Sequence, residues 1–173
     1  MTRYLFTFSL ILMAALSRLL PHAPNVVPIT ALALFGGVYL DKKHTFIVPI
    51  AAMLISDYFI GFYSGMLWVY GSFLAIGVIG LWLRNHRCVG TTIGASLAGS
   101  VLFYIVTNFG VWLASQTTYP HTLGGLVDCY VMAIPFFRNT LLGDFGYVFA
   151  LFGTYELAKR FVPSLTLQPQ SQE

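Results

Sequence analysis

Charged side chains are scarce in this sequence: Asp, Glu, Lys and Arg together make up only 9% of its 173 residues. A soluble globular domain carries about 25% of such residues, so the composition excludes a sizeable soluble domain. There are only two cysteines, Cys88 and Cys129, and their spacing matches no metal-binding pattern. The formal charge of +3 comes from basic residues spread over short segments, so no nucleic-acid-binding patch is indicated.

The common catalytic signatures are also missing. The sequence contains no phosphate-binding G-x-x-x-x-G-K-[ST] loop, no H-E-x-x-H zinc motif and no G-x-S-x-G nucleophile motif. The chain therefore has no recognisable means of using ATP by itself. We expect neither an enzyme activity nor a cofactor.

Apolar segments dominate what is present, since 57% of the residues are hydrophobic and the mean hydropathy is +0.77. A helix needs about 20 apolar residues to cross a hydrocarbon layer of about 30 Å. Six apolar segments predict an all-α, polytopic membrane protein: residues 4–20, 27–40, 45–62, 66–83, 91–114 and 139–161. Residues 4–20 are interpreted as a retained first span, because they are long for a signal peptide and lack a small-residue cleavage site. We expect one transmembrane domain over residues 1–163 and a disordered cytoplasmic tail over residues 164–173.

Residues 123–137 are apolar but are interrupted by Gly124, Gly125, Asp128 and Pro135. If this segment does not cross the membrane, seven of the nine basic residues fall on one side. These seven are Arg3, Lys42, Lys43, Arg84, Arg87, Lys159 and Arg160. The positive-inside rule makes that side cytoplasmic. We therefore predict a multi-pass protein of the bacterial inner membrane with both termini in the cytoplasm, and a short re-entrant or interfacial helix over residues 123–137. The alternative, that this segment spans, stays open.

In this topology the remaining polar residues gather toward the outer face, which indicates an outward-facing polar pocket. The candidate solute-binding residues are Arg18, His22, Asn25, Asp57, Asn108, Trp112, Arg138, Asn139 and Asp144. Arg18 and Arg138 are predicted to hold anionic groups, because a guanidinium pairs well with carboxylate or phosphate. Asp144 lies nearest the middle of the bilayer, beside Gly143 and Gly146, which admit a close neighbour.

Structural roles account for several of these residues equally well. Arg18 is also explained by snorkelling to the headgroups, Asn108 by a hydrogen bond between helices and Trp112 by an interfacial aromatic belt. His22 is most simply a loop residue, and Asp57 and Arg138 are also explained as a structural ion pair.

Arg138 needs a partner, because a charge at membrane depth costs roughly 3 kcal/mol. Asp144 is six residues further on, about 240° around a helix, so the two side chains do not face each other. We predict that Asp57 or Asp128 lies near Arg138.

Two stretches of the chain resemble a known family. Residues 31–37 (ALALFGG), a short basic turn and residues 49–57 (PIAAMLISD) look like the second and third helices of bacterial energy-coupling-factor (ECF) transporter S components. The wider patterns R-x-x-P-H-x-P-N-x-x-P at 18–28 and I-P-F-F-R-N-T-L-L-G-D at 134–144 resemble a group of uncharacterised bacterial membrane transport proteins, over nearly the whole chain.

The resemblance implies an S-component-like helical bundle whose outward pocket binds a vitamin or similar micronutrient. It also implies a separate coupling protein and ATPases as partners, beside membrane lipid and the solute. The alanine-x-x-x-alanine docking patch of that family is not found in residues 9–15, so a solitary or proton-coupled transporter is an alternative. Two alternative functions remain open. One is a membrane-embedded enzyme using intramembrane Asp and His residues, and the other is a structural or assembly protein whose polar groups all pair internally.

Overall fold

The computed structural model describes residues 2–114 and 117–166, and all regular secondary structure in this part of the chain is helical. The α-helices are α1 (Thr2–Leu16), α2 (Ile29–Tyr39), α3 (His44–Ile60), α4 (Met66–Asn85), α5 (Val89–Ala114) and α6 (Leu123–Phe161). Two short 3-10 helices, Ser17–Leu19 and Pro163–Leu165, follow α1 and α6. The prediction of an all-α fold is confirmed.

Helix α2 is the centre of the bundle. Each of its eleven residues is buried, and all five other helices pack against it. Its small residues allow this close approach. A Cβ atom on Gly37 would lie 2.6 Å from Cα of Gly80, so the backbones of α2 and α4 are in contact there. On the side facing α3, a Cβ atom on Gly36 would lie 2.6 Å from the ring of Pro49.

Basic residues lie at one end of the bundle, which we call the basic end. Arg84 donates to the carbonyl oxygens of Gly37 and Leu40, and so satisfies groups that the end of α2 leaves without helical partners. Glu156 lies 2.5 Å from Lys159 and 3.4 Å from Arg87. Because the ends of α2, α4 and α6 meet the start of α5 here, successive helices alternate in direction, as the charge pattern predicts.

Residues 123–137 do not form a separate short helix, so that prediction is wrong. They are the first part of α6, one continuous helix of 39 residues. Thr122 caps the start of α6, because its hydroxyl accepts a hydrogen bond from the Gly125 amide at 3.1 Å. Pro135 lies inside the helix and removes one amide donor, a change that helices accommodate by bending.

Contacts with α5 show where α6 departs from a straight course. Near the basic end, Arg87, just before α5, contacts Glu156, and Ser100 contacts Asp144. Between these two contacts the chain advances by thirteen residues on the α5 side and by twelve on α6. The next contact joins Asn108 to Cys129. Between the Ser100–Asp144 contact and this one, α5 advances by eight residues and α6 by fifteen. At 1.5 Å per residue these paths are about 12 Å and 22 Å long. Helix α6 therefore bows away from α5 around Pro135.

The predicted tail, residues 164–173, starts within a part of the chain that packs on the bundle. Leu165 is buried, and its carbonyl oxygen accepts a hydrogen bond from the Tyr155 hydroxyl at 3.0 Å. Residues 167–173 lie outside the described residues.

Candidate functional site

A buried ion pair joins α1 to α3 at the end of the bundle opposite the basic end. Nη2 of Arg18 lies 2.6 Å from Oδ1 of Asp57, and the two side chains are only 6% and 0% exposed. Nη1 of Arg18 donates to Oγ of Ser56 at 2.5 Å. The Tyr70 hydroxyl, on α4, donates to Oδ2 of Asp57 at 2.7 Å. The pair therefore links three helices, although Nε of Arg18 is buried without a described hydrogen-bond partner.

This geometry corrects the predicted partner of Arg138. Asp57 pairs with Arg18, while Arg138 and Asp128 are both exposed and make no ion pair among the described residues. The reason lies in the packing order: α2 stands between α3 and α6, which do not pack against each other in the part described. Arg18 instead enters the bundle because the 3-10 turn after α1 packs against α3.

A cavity of about 410 Å³ lies between α4, α5 and α6, where α6 bows outward. Its walls are largely aromatic and aliphatic, and none of its lining residues carries a charge. The lining residues are Asn25, Val69, Phe103, Tyr104, Thr107, Asn108, Val111, Tyr119, Cys129, Met132, Ala133, Phe136, Phe137 and Thr140. A volume of this size is typical of small-molecule sites.

Three polar side chains of the cavity, Thr107, Asn108 and Thr140, present acceptor atoms. The hydroxyls of Thr107 and Thr140 donate to the carbonyl oxygens one turn earlier, at 2.7 and 3.1 Å. Their remaining oxygen lone pairs are then available to a ligand. Asn108 donates through Nδ2 to the Tyr104 carbonyl oxygen at 2.8 Å, which leaves its Oδ1 without a described donor. The Tyr104 hydroxyl donates a hydrogen bond to the Tyr130 carbonyl oxygen.

Two loops border the cavity, and predicted site residues hold them. Asn139 donates to the Pro24 carbonyl oxygen at 3.0 Å, beside Asn25, whose φ of +65° is a left-handed conformation that asparagine tolerates. Trp112 donates through Nε1 to the Pro120 carbonyl oxygen at 3.0 Å. His22 is exposed, and its Nδ1 lies 2.7 Å from the Leu20 carbonyl oxygen.

The nine predicted site residues therefore fall into separate groups. Asn25 and Asn108 line the cavity, whereas Asn139 and Trp112 hold its bordering loops. Arg18 and Asp57 form the buried pair, and Arg138 and His22 are exposed outside the lining. Asp144 is buried one helical turn beyond the lining residue Thr140 and is not itself among the lining residues.

The aromatic wall of the cavity did not enter the sequence prediction. Phe103, Thr107 and Val111 recur at a spacing of four residues on α5, as do Tyr104 and Asn108. That spacing places them on one helical face, which is a signal the sequence contains. Among the described residues no group of three His, Cys, Asp or Glu side chains could hold a metal ion.

Comparison with known proteins gives one match. Residues 1–165 match a family of unknown function, DUF6580. No curated protein and no solved structure matches the chain significantly.

The Arg18–Asp57 pair generates a stability prediction. Arg18→Ala leaves a buried carboxylate without its counter-ion, and we expect it to lower the free energy of unfolding by about 3–5 kcal/mol. The double variant Arg18→Met/Asp57→Leu removes both charges and should recover most of that loss. Arg138→Ala is the matched control, because this exposed arginine makes no described ion pair. Thermal unfolding in detergent measures all three, and equal melting of Arg18→Ala and Arg138→Ala would contradict the pairing.

Proposed function

We propose that this chain, which belongs to the family of unknown function DUF6580, is a membrane-embedded protein that binds a small solute in the cavity between α4, α5 and α6. In this proposal it is the solute-binding component of an uptake transporter in the bacterial inner membrane. The observation that carries the proposal is the uncharged, aromatic cavity where α6 bends away from α5.

The apolar surface of the bundle supports a membrane location. Helices α4 and α5 are long and apolar enough to cross a membrane, by length and composition, and α2 and α3 are shorter apolar helices. A buried core helix of a soluble protein passes the same test, but only 39% and 22% of the apolar windows of α4 and α5 are buried. Their outward side chains include Leu67, 85% exposed, and Val89, 78% exposed. Surfaces of this kind are rare in soluble monomers.

The dimensions of α6 support an orientation. Arg138 and Lys159 are 21 residues apart on this helix, which is about 32 Å at 1.5 Å per residue. That length matches a hydrocarbon layer of about 30 Å. The basic end then lies at the cytoplasmic face by the positive-inside rule, and the cavity opens toward the outer face, where Asn25 and Tyr119 border it.

The lining residues favour a neutral solute over an anion. Because no lining residue is charged, a carboxylate in the cavity would be desolvated without a counter-ion. The rings of Phe103, Phe136 and Phe137 suit a flat aromatic body. The acceptor atoms of Asn108, Thr107 and Thr140 suit N–H or O–H donors on its edge. The solute class we infer is therefore a small neutral aromatic compound with hydrogen-bond donors, which includes some vitamins and their amides.

Energy for uptake would come from elsewhere, because the sequence has no nucleotide-binding motif. The resemblance of residues 31–37 and 49–57 to ECF transporter S components suggests a coupling protein with ATPases as that source. A binding role also fits the cavity better than catalysis, since Cys129 is the one reactive side chain among the lining residues and no histidine or carboxylate lines the cavity beside it.

A matched pair of ligands tests the solute class. We expect benzamide, a neutral amide, to bind the purified protein more tightly than benzoate, which has the same ring and a negative charge. Ligand-observed NMR in detergent measures both affinities. Asn108→Ala should weaken benzamide binding by up to about tenfold, since one hydrogen bond contributes about 0.5–1.5 kcal/mol. Lys42→Ala, at the basic end, should not change it. Preferential binding of benzoate would instead place the site at Arg18 or Arg138.

The two free cysteines test the topology. Cys88 lies between α4 and α5 at the basic end and is exposed, and hydrogen bonds from Thr91 lower the pKa of its thiol. The larger thiolate fraction should make it react readily with maleimides. On intact cells a membrane-impermeant maleimide should leave Cys88 unlabelled until the membrane is opened. Cys129 is buried and should label slowly in both cases, so Cys129→Ser keeps the readout specific. Labelling of Cys88 in intact cells would refute the proposed orientation.

A further inference from the structure

Asp144 is a buried acid, and it forms no ion pair with any cation among the described residues. Its side chain lies on α6 and the residue is 1% exposed. The groups packed around it are uncharged: Ser100 on α5, Thr30 on α2, which hydrogen-bonds to the carboxyl group, and Val26 beside Gly143. The other described acids differ, since Asp57 and Glu156 pair with cations, Asp41 contacts His44 and Asp128 is exposed. A buried carboxyl group without a counter-ion is far more stable in its neutral form.

The hydrogen bonds of Ser100 independently indicate a proton on Asp144. Oγ of Ser100 lies 2.9 Å from the Ser96 carbonyl oxygen and 2.6 Å from Oδ2 of Asp144. A serine hydroxyl has one hydrogen, whereas a carbonyl oxygen and a carboxylate are both acceptors only. Both contacts are separate hydrogen bonds when Asp144 carries a proton and donates it to Ser100 while Ser100 donates to Ser96. With an ionised Asp144, the single Ser100 hydrogen would have to serve two acceptors.

We propose that Asp144 is a proton-binding site one helical turn from the cavity, neutral in the arrangement described and able to exchange its proton with water in the cavity. On release the O–H bond of the carboxyl group breaks and the proton passes to a water molecule. The carboxylate that remains accepts a hydrogen bond from Ser100, whose hydroxyl turns away from the Ser96 carbonyl oxygen. Uptake of a proton reverses both changes.

The position of Asp144 connects this site to the cavity. Thr140, one turn earlier on the same face of α6, lines the cavity, and Asp144 lies where α6 begins to bow away from α5. Gly143 lets the loop at Val26 approach within contact distance of the helix, since a Cβ atom there would lie 3.0 Å from Cα of Val26. The proton site itself stands on the contacts of Asp144, whereas its exchange with the cavity rests on the proposed function.

Infrared spectroscopy tests the proton directly, because a carboxylic acid and a carboxylate absorb at different frequencies. At neutral pH we expect the purified protein to show a carboxylic acid C=O band that is lost in Asp144→Asn. Asp128→Asn, which changes an exposed acid, should keep the band. Absence of the band from the wild type, or its persistence in Asp144→Asn, overturns the proposal. If Asp144→Asn does not fold, Asp144→Glu replaces it, and the band should then shift in frequency.

Stability as a function of pH is a second readout. The folded protein holds a proton on Asp144 that the unfolded chain releases above the usual range of an aspartate. The folded state therefore binds more protons, and stability falls as pH rises. As pH rises above the usual range of an aspartate, we expect the melting temperature of the wild type to fall more steeply than that of Asp144→Asn. Equal slopes contradict the proton site.

A separate measurement tests whether the Asp144 proton exchanges with water in the cavity. On transfer into D₂O the band should shift within the mixing time if cavity water reaches Asp144. A band that is present but does not shift refutes the link to the cavity, and with it this part of the proposed function, while the proton site stands.

Discussion

The burial of α2 on all sides is the constraint on which the rest of this structure depends. A helix without a polar face has to be surrounded, and here five helices surround eleven residues. Glycines at the crossings with α3 and α4 let this happen without voids, because there is no side chain to separate the backbones. At 1.5 Å per residue α2 is only about 16 Å long, roughly half of a membrane span. The chain before it is therefore an irregular loop over residues 20–28, and the polar features gather beside that loop.

The same central helix separates those polar features into two groups. The Arg18–Asp57 pair lies where α1, α3 and α4 meet, whereas the cavity lies among α4, α5 and α6. Helix α4 borders both through consecutive residues, since Tyr70 donates to Asp57 and Val69 lines the cavity. The ion pair links helices, and its carboxylate and guanidinium groups already contact each other, Ser56 and Tyr70. The cavity has free acceptor atoms and no charge, so we propose binding there.

The helices and their directions could be predicted from the sequence, because long apolar segments and the placement of basic residues report them directly. Arg84, Arg87 and Lys159 lie at one end of the bundle, as charge counting requires. The continuity of α6 was not predictable in the same way. Gly124, Gly125 and Pro135 are typical of a helix break, yet Gly124 and Gly125 lie in the first turn after the Thr122 cap, and Pro135 falls where the helix bows.

Which helices touch is a property of packing, and the sequence contains little information about it. Arg18 and Asp57 were both predicted to bind the solute, but their pairing depends on a 3-10 turn and on α1 lying beside α3. Arg138 was given a buried role because it lies in an apolar run, whereas it faces outward on α6. Asn25 and Asn108 both line the cavity, at the end of the bundle opposite the basic end. The α5 wall of the pocket follows a four-residue spacing, through Phe103, Thr107 and Val111, whereas Phe136 and Phe137 come from α6.

Native mass spectrometry of the protein purified from its own membranes tests the central claim most directly. The account predicts that the wild type carries a small molecule, and that Ala133→Trp, which fills the cavity from α6, does not. Leu142→Trp, on an exposed face of the same helix, should keep the bound molecule. A wild type without any bound molecule, or a molecule retained equally by Ala133→Trp, would contradict the assignment of the cavity as the binding site.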